Sequence, residues 1–159
     1  LRERRVKRIY RAVVWGHLST SKMIINASLG RDSKDRKRMA VREDGRVAIS
    51  HLRVCEQWPR ADFIDVRLQT GRTHQIRVHL AHIGHPVVAD QLYGVGWERG
   101  MGGVQRAWAR ELAHRVPRQF LHAAELSFEH PVTGIEMDFE ADIPDDLSGV
   151  VGWARGELS

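Results

Sequence analysis

A strand followed at once by a helix, within residues 62–83, constrains the fold more than any other part of this sequence. Residues 62–69 alternate between two sets of side chains, and one set, Ile64, Val66 and Leu68, is wholly apolar. This two-residue period predicts a strand with one apolar face. Thr70 and Gly71 interrupt the period and predict a sharp turn at the end of the strand.

The residues after this turn change to the spacing of a helix. Thr73 is expected to cap a helix that runs to about Ile83, and Gly84 to end it. Ile76, Leu80 and Ile83 supply its buried stripe.

Further strands and a hairpin are predicted on both sides of this unit. Strands are expected at residues 6–15, 47–57, 125–130 and 135–141, a short extended piece at residues 23–29, and a helix at residues 104–115. Pro131 to Gly134 joins the last two strands as a tight hairpin. Residues 94–103 are glycine-rich and are expected to form a flexible loop, and Pro144 onwards a tail with little pattern. The resulting fold class is α+β, with a mixed, mostly antiparallel sheet and flanking helices.

Charge is unevenly distributed along the chain. Twenty-five Lys and Arg against 20 Asp and Glu give a net charge of +5 and a sequence pI near 10.0. One basic cluster comprises Arg2, Arg4, Arg5, Lys7, Arg8 and Arg11, and a second comprises Arg31, Lys34, Arg36, Lys37, Arg38, Arg42 and Arg46. The C-terminal part is acidic. This asymmetry favours a polyanionic partner, and a solvated charged face explains it equally well.

All of the second basic cluster except Arg46 lies in a polar stretch, residues 30–45, with turn signals at Asp32-Ser33 and Asp44-Gly45. These signals predict a long surface loop. Loops of that length within a compact domain are usually functional or mobile.

Length and cysteine content set the broad class. The chain has 159 residues, 42% of them hydrophobic, which suits one domain with its own core. Cys55 is the one cysteine, so no intramolecular disulfide can form, and we expect it to be a small core side chain in a reducing cytoplasm. No stretch has the length of a membrane-spanning helix, and no signal peptide is recognised. Because the chain begins with Leu1 and a basic run, we interpret it as a piece of a longer protein or a processed form.

Cationic side chains gather where the predicted helix begins. His74 and Arg77 are three residues apart and share one helix face, and Arg72 lies just ahead of the N-terminus. A phosphate or a carboxylate would be favoured at such an edge. A capped helix with ordinary surface arginines is an equally good explanation of this stretch alone.

The motif TGRTHQIRVHLAHIGHP, followed by Asp90 and Tyr93-Gly94, resembles the signature of RluA-family RNA pseudouridine synthases, including the RluC- and RluD-like members. Other parts of the chain resemble that family in the same order, namely residues 8–16, 29–32, 36–41, 45–48, 121–123 and 128–134. Several separated motifs in the right order are more specific than one. The resemblance spans residues 6–147, and implies the C-terminal portion of the catalytic domain over residues 1–147 and a tail over residues 148–159.

Two positions depart from the family pattern. The family's catalytic aspartate lies in an H-R-L-D-x-x-T-S-G segment upstream of the Tyr10 strand, and its place here would be before Leu1. We therefore expect the chain alone to be inactive, and a catalytically silent RNA-binding module is the alternative. Ala89 stands where the family usually has glycine, which is a mild change unless the backbone there needs a positive φ.

The resemblance implies roles for individual residues. Arg77 would pair with the catalytic carboxylate and keep it ionised, Tyr10 would stack on the uracil or direct a proton, and Leu121 would form an apolar pocket wall. Substrate and RNA contacts are expected from Arg31, Lys37, Arg38, Arg46, Arg72, His74 and Gln75.

The resemblance also implies the reaction and its partners. Uracil is detached from its ribose, turned and rejoined through carbon after the base leaves the helical stack, and no cofactor or metal takes part. His79, His82 and His85 recur at intervals of three, but the spacing continues past Gly84, so we expect no zinc site. The expected partner of a monomeric protein is RNA, with ribosomal RNA of the large subunit first and transfer RNA second, and no membrane. A glycosidase or nuclease is disfavoured because no paired carboxylates lie near the cationic edge.

Overall fold

A computed structural model describes residues 6–157, so that Arg2, Arg4 and Arg5 of the first basic cluster lie outside the described residues. Six strands form one sheet: β1 (Lys7–Trp15), β2 (Lys22–Asn26), β5 (Ile49–Gln57), β6 (Ala61–Leu68), β7 (Leu121–Glu129) and β8 (Glu136–Glu140). Their spatial order is β2-β5-β6-β1-β7-β8, and every pairing between neighbours is antiparallel. The remaining strands are β3 (Leu29–Arg31) and β4 (Met39–Val41), and the helices are α1 (Gln75–His82), α2 (Arg106–Arg115) and α3 (Asp145–Ala154). The α+β class and the mostly antiparallel sheet are confirmed.

The central strand β1 is covered on both faces. Val13 and Trp15 point into a core formed with α2 and α3, whereas Ala12 and Val14 point into a core formed with α1. Four consecutive buried side chains therefore end this strand. The same holds for part of β6, where Phe63 is only 6% exposed. The prediction of a single apolar face was wrong there, because helices cover both sides of the sheet.

The C-terminal residues are a structural part of the domain. Residues after Pro144 form α3, whose Leu147, Val150 and Val151 are buried in the core beside α2. Trp153 of α3 stacks on Trp108 of α2, with ring centroids 5.3 Å apart and planes 19° from parallel. The prediction of a tail with little pattern was wrong, and the sequence-based boundary between residues 147 and 148 falls inside this helix.

The basic segment is a folded hairpin rather than an irregular loop. β3 and β4 pair from Leu29–Val41 to Arg31–Met39, and the backbones of Leu29 and Arg46 also bond to each other. We call residues 29–46 the basic hairpin. A Cβ added to Gly45 would lie 2.5 Å from the carbonyl carbon of Leu29. Only glycine therefore allows the backbones of these two residues to lie so close together. Seven basic residues against four acidic ones leave the basic hairpin positively charged.

Two smaller predictions also differ from the structure. Cys55 is exposed, because it is the extra residue where the pairing of β5 with β6 shifts register between Val54 and Glu56. The glycine-rich stretch of residues 94–103 contains a short 3₁₀ helix, Trp97–Gly100. Within residues 6–157, no helix has the length and hydropathy needed to cross a membrane.

Candidate active site

A cleft of about 280 Å³ opens beside the start of α1 on the sheet face that this helix covers. Its walls come from β1, β6, α1 and the segment leading into β7, and comprise Tyr10, Leu68, Arg72, His74, Gln75, Ile76, Arg77, Gln119 and Leu121. Six of these nine residues were singled out from the sequence: Tyr10, Arg72, His74, Gln75, Arg77 and Leu121. The fold thus brings together candidate residues that are up to 111 positions apart in the chain.

Arg77 forms a buried ion pair within the described chain. Its Nε and Nη2 donate to the two carboxylate oxygens of Asp90 at 2.6 and 2.8 Å. The Arg77 side chain is 15% exposed and that of Asp90 is fully buried. Sequence analysis had assigned Arg77 to a carboxylate from an upstream segment and had given Asp90 no role. Within residues 6–157, Nη1 of Arg77 and the hydroxyl of Tyr10 have no hydrogen-bond partner.

Asp90 also shapes the turn that follows it. One of its oxygens accepts hydrogen bonds from the backbone N–H groups of Leu92 and Tyr93. Burial raises the pKa of the Asp90 carboxyl, but the bonds from Arg77, Tyr93 and Leu92 outweigh burial and hold the pKa below its ordinary value. Ala89 has a φ of 60°, so the position does need the left-handed conformation that glycine adopts most easily.

The entry to α1 differs from the predicted cap. His74, not Thr73, occupies the N-cap position, with a φ of 55° and no side-chain capping bond. The side chain of Gln75 instead braces the turn that precedes α1, because its Oε1 accepts from the Arg72 backbone N–H at 3.0 Å and from the Thr70 hydroxyl at 2.9 Å. A left-handed non-glycine residue beside a cleft is the kind of strained backbone found at functional sites.

Gln75 is occupied by internal hydrogen bonds. Besides the two bonds to Oε1, its Nε2 donates to the Ile49 carbonyl and the Ser50 hydroxyl oxygen. Both amide hydrogens and both acceptor sites are therefore used, and the residue is 2% exposed. Gln75 thus holds the turn before α1, and a contact of this residue with RNA stays a prediction.

A buried histidine extends this polar network. Nδ1 of His79 lies 2.9 Å from the Ser50 hydroxyl, and Nε2 lies 2.8 Å from the Ala27 carbonyl oxygen. Because a carbonyl can only accept, Nε2 carries the proton and Nδ1 accepts from Ser50. His79 thereby ties α1 to the residues that lead into the basic hairpin.

We expect His79 to make folding stability depend on pH. Burial lowers the pKa of His79 below its ordinary 6.5, despite the opposing bond to Ala27. The unfolded chain then binds more protons, so stability should fall as pH drops from about 7.5 to about 5.5. Urea unfolding at both pH values measures the free energy of unfolding. The difference in this free energy between the two pH values should be smaller for His79→Leu than for the wild type. Part of the difference should remain, because burial and the nearby Arg77 also lower the pKa of His74.

His114→Gln is the control for this experiment, since His114 is exposed on α2. This variant should retain the wild-type difference between the two pH values. An unchanged difference in His79→Leu would contradict the assignment of the pH dependence to His79.

The predicted RNA contacts form two groups in space. Arg72 and His74 line the cleft, whereas Arg31, Lys37, Arg38 and Arg46 all lie on the basic hairpin. Arg31, Lys37 and Arg46 are exposed, and Arg38 is half-buried. Nε of Arg72 donates to the Val47 carbonyl at 3.0 Å, which fixes this side chain at the foot of the basic hairpin.

Two contributors to the site were not predicted from the sequence. Asp90 and Tyr93 were recognised as motif letters without a role, because their partners lie 13 or more residues away along the chain. Arg8 lies two residues before Tyr10, and its guanidinium packs against Gly71, where a Cβ would require this flexible side chain to shift. Its Nε is buried without a partner among residues 6–157.

The histidines of the three-residue repeat have other partners. His79 bonds to Ser50 and Ala27, and Nδ1 of His85 lies 2.8 Å from the Trp15 carbonyl oxygen. In the described part of the chain, no three His, Cys, Asp or Glu side chains are grouped closely enough to hold a metal ion.

Comparisons with known proteins agree with the resemblance read from the motifs. Residues 1–82 match the model of the family described as RNA pseudouridylate synthase. The chain is 43% identical over 155 residues to ribosomal large subunit pseudouridine synthase D of Pseudomonas aeruginosa, covering 98% of this chain and 48% of that protein. The Escherichia coli K12 protein of the same name is 40% identical over 158 residues, with 99% and 48% covered. The chain thus spans about half the length of these curated relatives.

Solved structures show the same fold. The human RNA pseudouridylate synthase domain containing 1 superposes with a TM-score of 0.66 at 24% identity, covering 98% of this chain and 68% of that one. The human RNA pseudouridylate synthase domain containing 4 superposes with a TM-score of 0.67 at 18% identity, covering 94% of this chain and 62% of that one. With the family model matching more than half of its residues, the chain belongs to the RNA pseudouridylate synthase family.

Proposed function

We propose that this chain is the C-terminal portion of the catalytic domain of an RNA pseudouridine synthase that acts in the cytoplasm, with large-subunit ribosomal RNA as the leading candidate substrate and transfer RNA as the second. The observation that carries the proposal is the cleft in which Tyr10, Arg77 and Leu121 meet. The names of the relatives from Pseudomonas aeruginosa and Escherichia coli support ribosomal RNA as the substrate.

In this proposal the cleft receives a uracil that has left the RNA stack. Tyr10 offers an aromatic face and Leu121 an apolar wall, so the base is held away from water. The bond between N1 and the ribose breaks, the base turns, and C5 forms the new bond to the ribose. C5 then releases a proton and N1 acquires one, which leaves the overall composition unchanged.

Arg77 would supply the electrostatics of this reaction. Asp90 fixes two of its nitrogens, and Nη1 remains available for a carboxylate from the upstream segment of the catalytic domain. In a cleft dry enough to hold uracil, such a carboxylate would tend to take up a proton. A guanidinium beside it opposes that tendency and orients the oxygens.

The basic residues would guide the RNA to the cleft. Arg31, Lys37, Arg38 and Arg46 project from the basic hairpin, and Arg72 stands between the hairpin and the cleft. Contacts of this kind go to phosphates, so they set affinity and register more than sequence preference.

Isomerisation assays should separate an incomplete enzyme from a silent RNA-binding module. The chain alone should produce no detectable pseudouridine in large-subunit ribosomal RNA or transfer RNA, because the reacting carboxylate would belong to the upstream H-R-L-D-type segment. A chimera that carries the upstream half of the Pseudomonas aeruginosa relative ahead of Leu1 should form pseudouridine in the ribosomal RNA. Mass spectrometry of nuclease digests would detect the product after chemical labelling.

Tyr10→Phe and Arg77→Lys are the diagnostic variants of the chimera. We expect each to lower turnover by at least about a hundredfold, since Tyr10→Phe removes the hydroxyl that would direct a proton and Arg77→Lys removes the guanidinium beside the reacting carboxylate. Robust turnover by the chain alone would contradict the proposal. A folded chimera that binds RNA without forming pseudouridine would favour the silent module.

A further inference from the structure

Tyr93 lies behind the cleft, between α1 and the basic hairpin, and does not line the cleft itself. Its hydroxyl oxygen is 2.9 Å from the backbone nitrogen of Met39 and 2.8 Å from Nδ1 of His74. A backbone N–H can only donate, so the phenol oxygen accepts from Met39, and the same hydroxyl is hydrogen-bonded to Nδ1 of His74. One hydroxyl thereby joins β4 of the basic hairpin to the first residue of the helix entry.

The aromatic ring makes the same connection a second time. The guanidinium carbon of Arg38, on the basic hairpin, is 5.2 Å from the ring centroid, and that of Arg77, in the cleft, is 5.0 Å away. Both distances are within the range of cation–π attraction. The His74 ring meets the Tyr93 ring edge-on, with centroids 5.6 Å apart. Tyr93 therefore contacts two residues on each side, Met39 and Arg38 of the basic hairpin and His74 and Arg77 of the cleft.

Tyr93 is itself held in place by Asp90 and by a small apolar core. Its backbone N–H donates to the Asp90 carboxylate that also binds Arg77, at 3.0 Å. Its ring packs against a small apolar core of Leu29, Ala48 and Val78, which belongs to both the basic hairpin and α1. Because both the backbone and the ring of Tyr93 are held in place, this residue can keep the groups that it contacts at fixed distances from one another.

We propose that Tyr93 is a positioning residue that locks the basic hairpin to the cleft, so that the hairpin cations, His74 and Arg77 meet RNA as one rigid surface. This inference rests on the proposed function, in which the basic hairpin binds RNA. Tyr93 acts through Met39, Arg38, His74 and Arg77, and makes no contact with the substrate. Its hydroxyl matters because it bonds to both sides at once.

Tyr93→Phe tests this role because it removes the hydroxyl and retains the ring. Binding of the full chain to a fluorescein-labelled RNA stem-loop should weaken about tenfold, the loss expected for two neutral hydrogen bonds. The slope of log affinity against log salt should also become shallower by about 1.5, because a loosened hairpin loses two phosphate contacts together. Amide hydrogen exchange at Met39 should become faster.

The salt slope distinguishes positioning from a general loss of stability. The variant removes no charge, and partial unfolding would lower the active fraction without changing the slope of the folded molecules. Thr20→Val is the matched control, since it deletes an exposed hydroxyl that, among residues 6–157, bonds only to the Lys22 carbonyl. It should retain wild-type affinity, slope and exchange at Met39.

Wild-type affinity and slope in Tyr93→Phe would overturn the inference, and so would unchanged exchange at Met39. A wild-type chain whose RNA binding does not depend on salt would instead contradict the proposed function. Amide exchange at Met39 is measured without RNA. Even if the proposed function failed, it would therefore show whether Tyr93 fixes the basic hairpin to the cleft.

Discussion

Arg77→Ala should lower the free energy of unfolding by about 3–5 kcal/mol, the cost of leaving a buried charge without its partner. The Asp90 carboxylate is fully buried and receives two hydrogen bonds from Arg77 at 2.6 and 2.8 Å. Without them it must stay charged in a poorly solvated place or take up a proton. Asp90→Ala should cost a similar amount, because it also removes the acceptor for Leu92 and Tyr93. Urea unfolding followed by circular dichroism measures both losses.

A double-mutant cycle separates the pair from its surroundings. Arg77→Ala with Asp90→Ala should cost at least about 2 kcal/mol less than the sum of the single losses, since the double variant leaves neither charge buried. Arg118 and Asp146 provide the control: they form a similar two-bond pair with side chains 41% and 42% exposed. Arg118→Ala should cost at most about 1 kcal/mol. Equal losses for Arg77→Ala and Arg118→Ala would contradict a structural role for the buried pair.

Leu147→Ala should lower the free energy of unfolding by about 2–5 kcal/mol, the range for large-to-small changes in a packed core. Leu147 is fully buried, on a helix that covers one face of the sheet. The shortened side chain would leave a cavity between α3 and its neighbours. Thermal and urea unfolding would both record the loss.

Leu126→Ala is the matched control for Leu147→Ala. Leu126 lies on β7 and is 37% exposed, so its replacement should cost less than half as much. A loss below about 1 kcal/mol for Leu147→Ala would mean that α3 contributes little to the core, as the sequence-based prediction of a tail had implied.

Local patterns predicted the elements whose signals are contained in a few neighbouring residues. The alternation in β6 and the Pro131–Gly134 turn between β7 and β8 were found in this way. α3 was missed because Gly149 and Gly152 lower its intrinsic helix propensity, and its stability comes from packing against α2. The exposure of Cys55 depends on a shift of register between two strands, which no single-strand pattern records.

The candidate site was predictable to the extent that family motifs name residues. The motifs named Tyr10, Arg77 and Leu121, and the fold places all three around one cleft. The motifs did not predict which residues Arg77 and Tyr93 bind within the chain. Asp90 reaches Arg77 only because the chain reverses at Gly84, and Tyr93 reaches Met39 across 54 residues. Such contacts follow from tertiary structure, and side-chain periodicity carries no information about them.

The stacked pair of Trp108 and Trp153 gives this protein an optical reporter of its own. Two indole rings 5.3 Å apart couple electronically, and Arg115 lies 4.9 Å from the centroid of one of them. Their near-ultraviolet circular dichroism and their fluorescence emission depend on the two rings staying stacked. A loss of this signal at constant far-ultraviolet dichroism would therefore report the detachment of the last helix from its neighbour, without any added label.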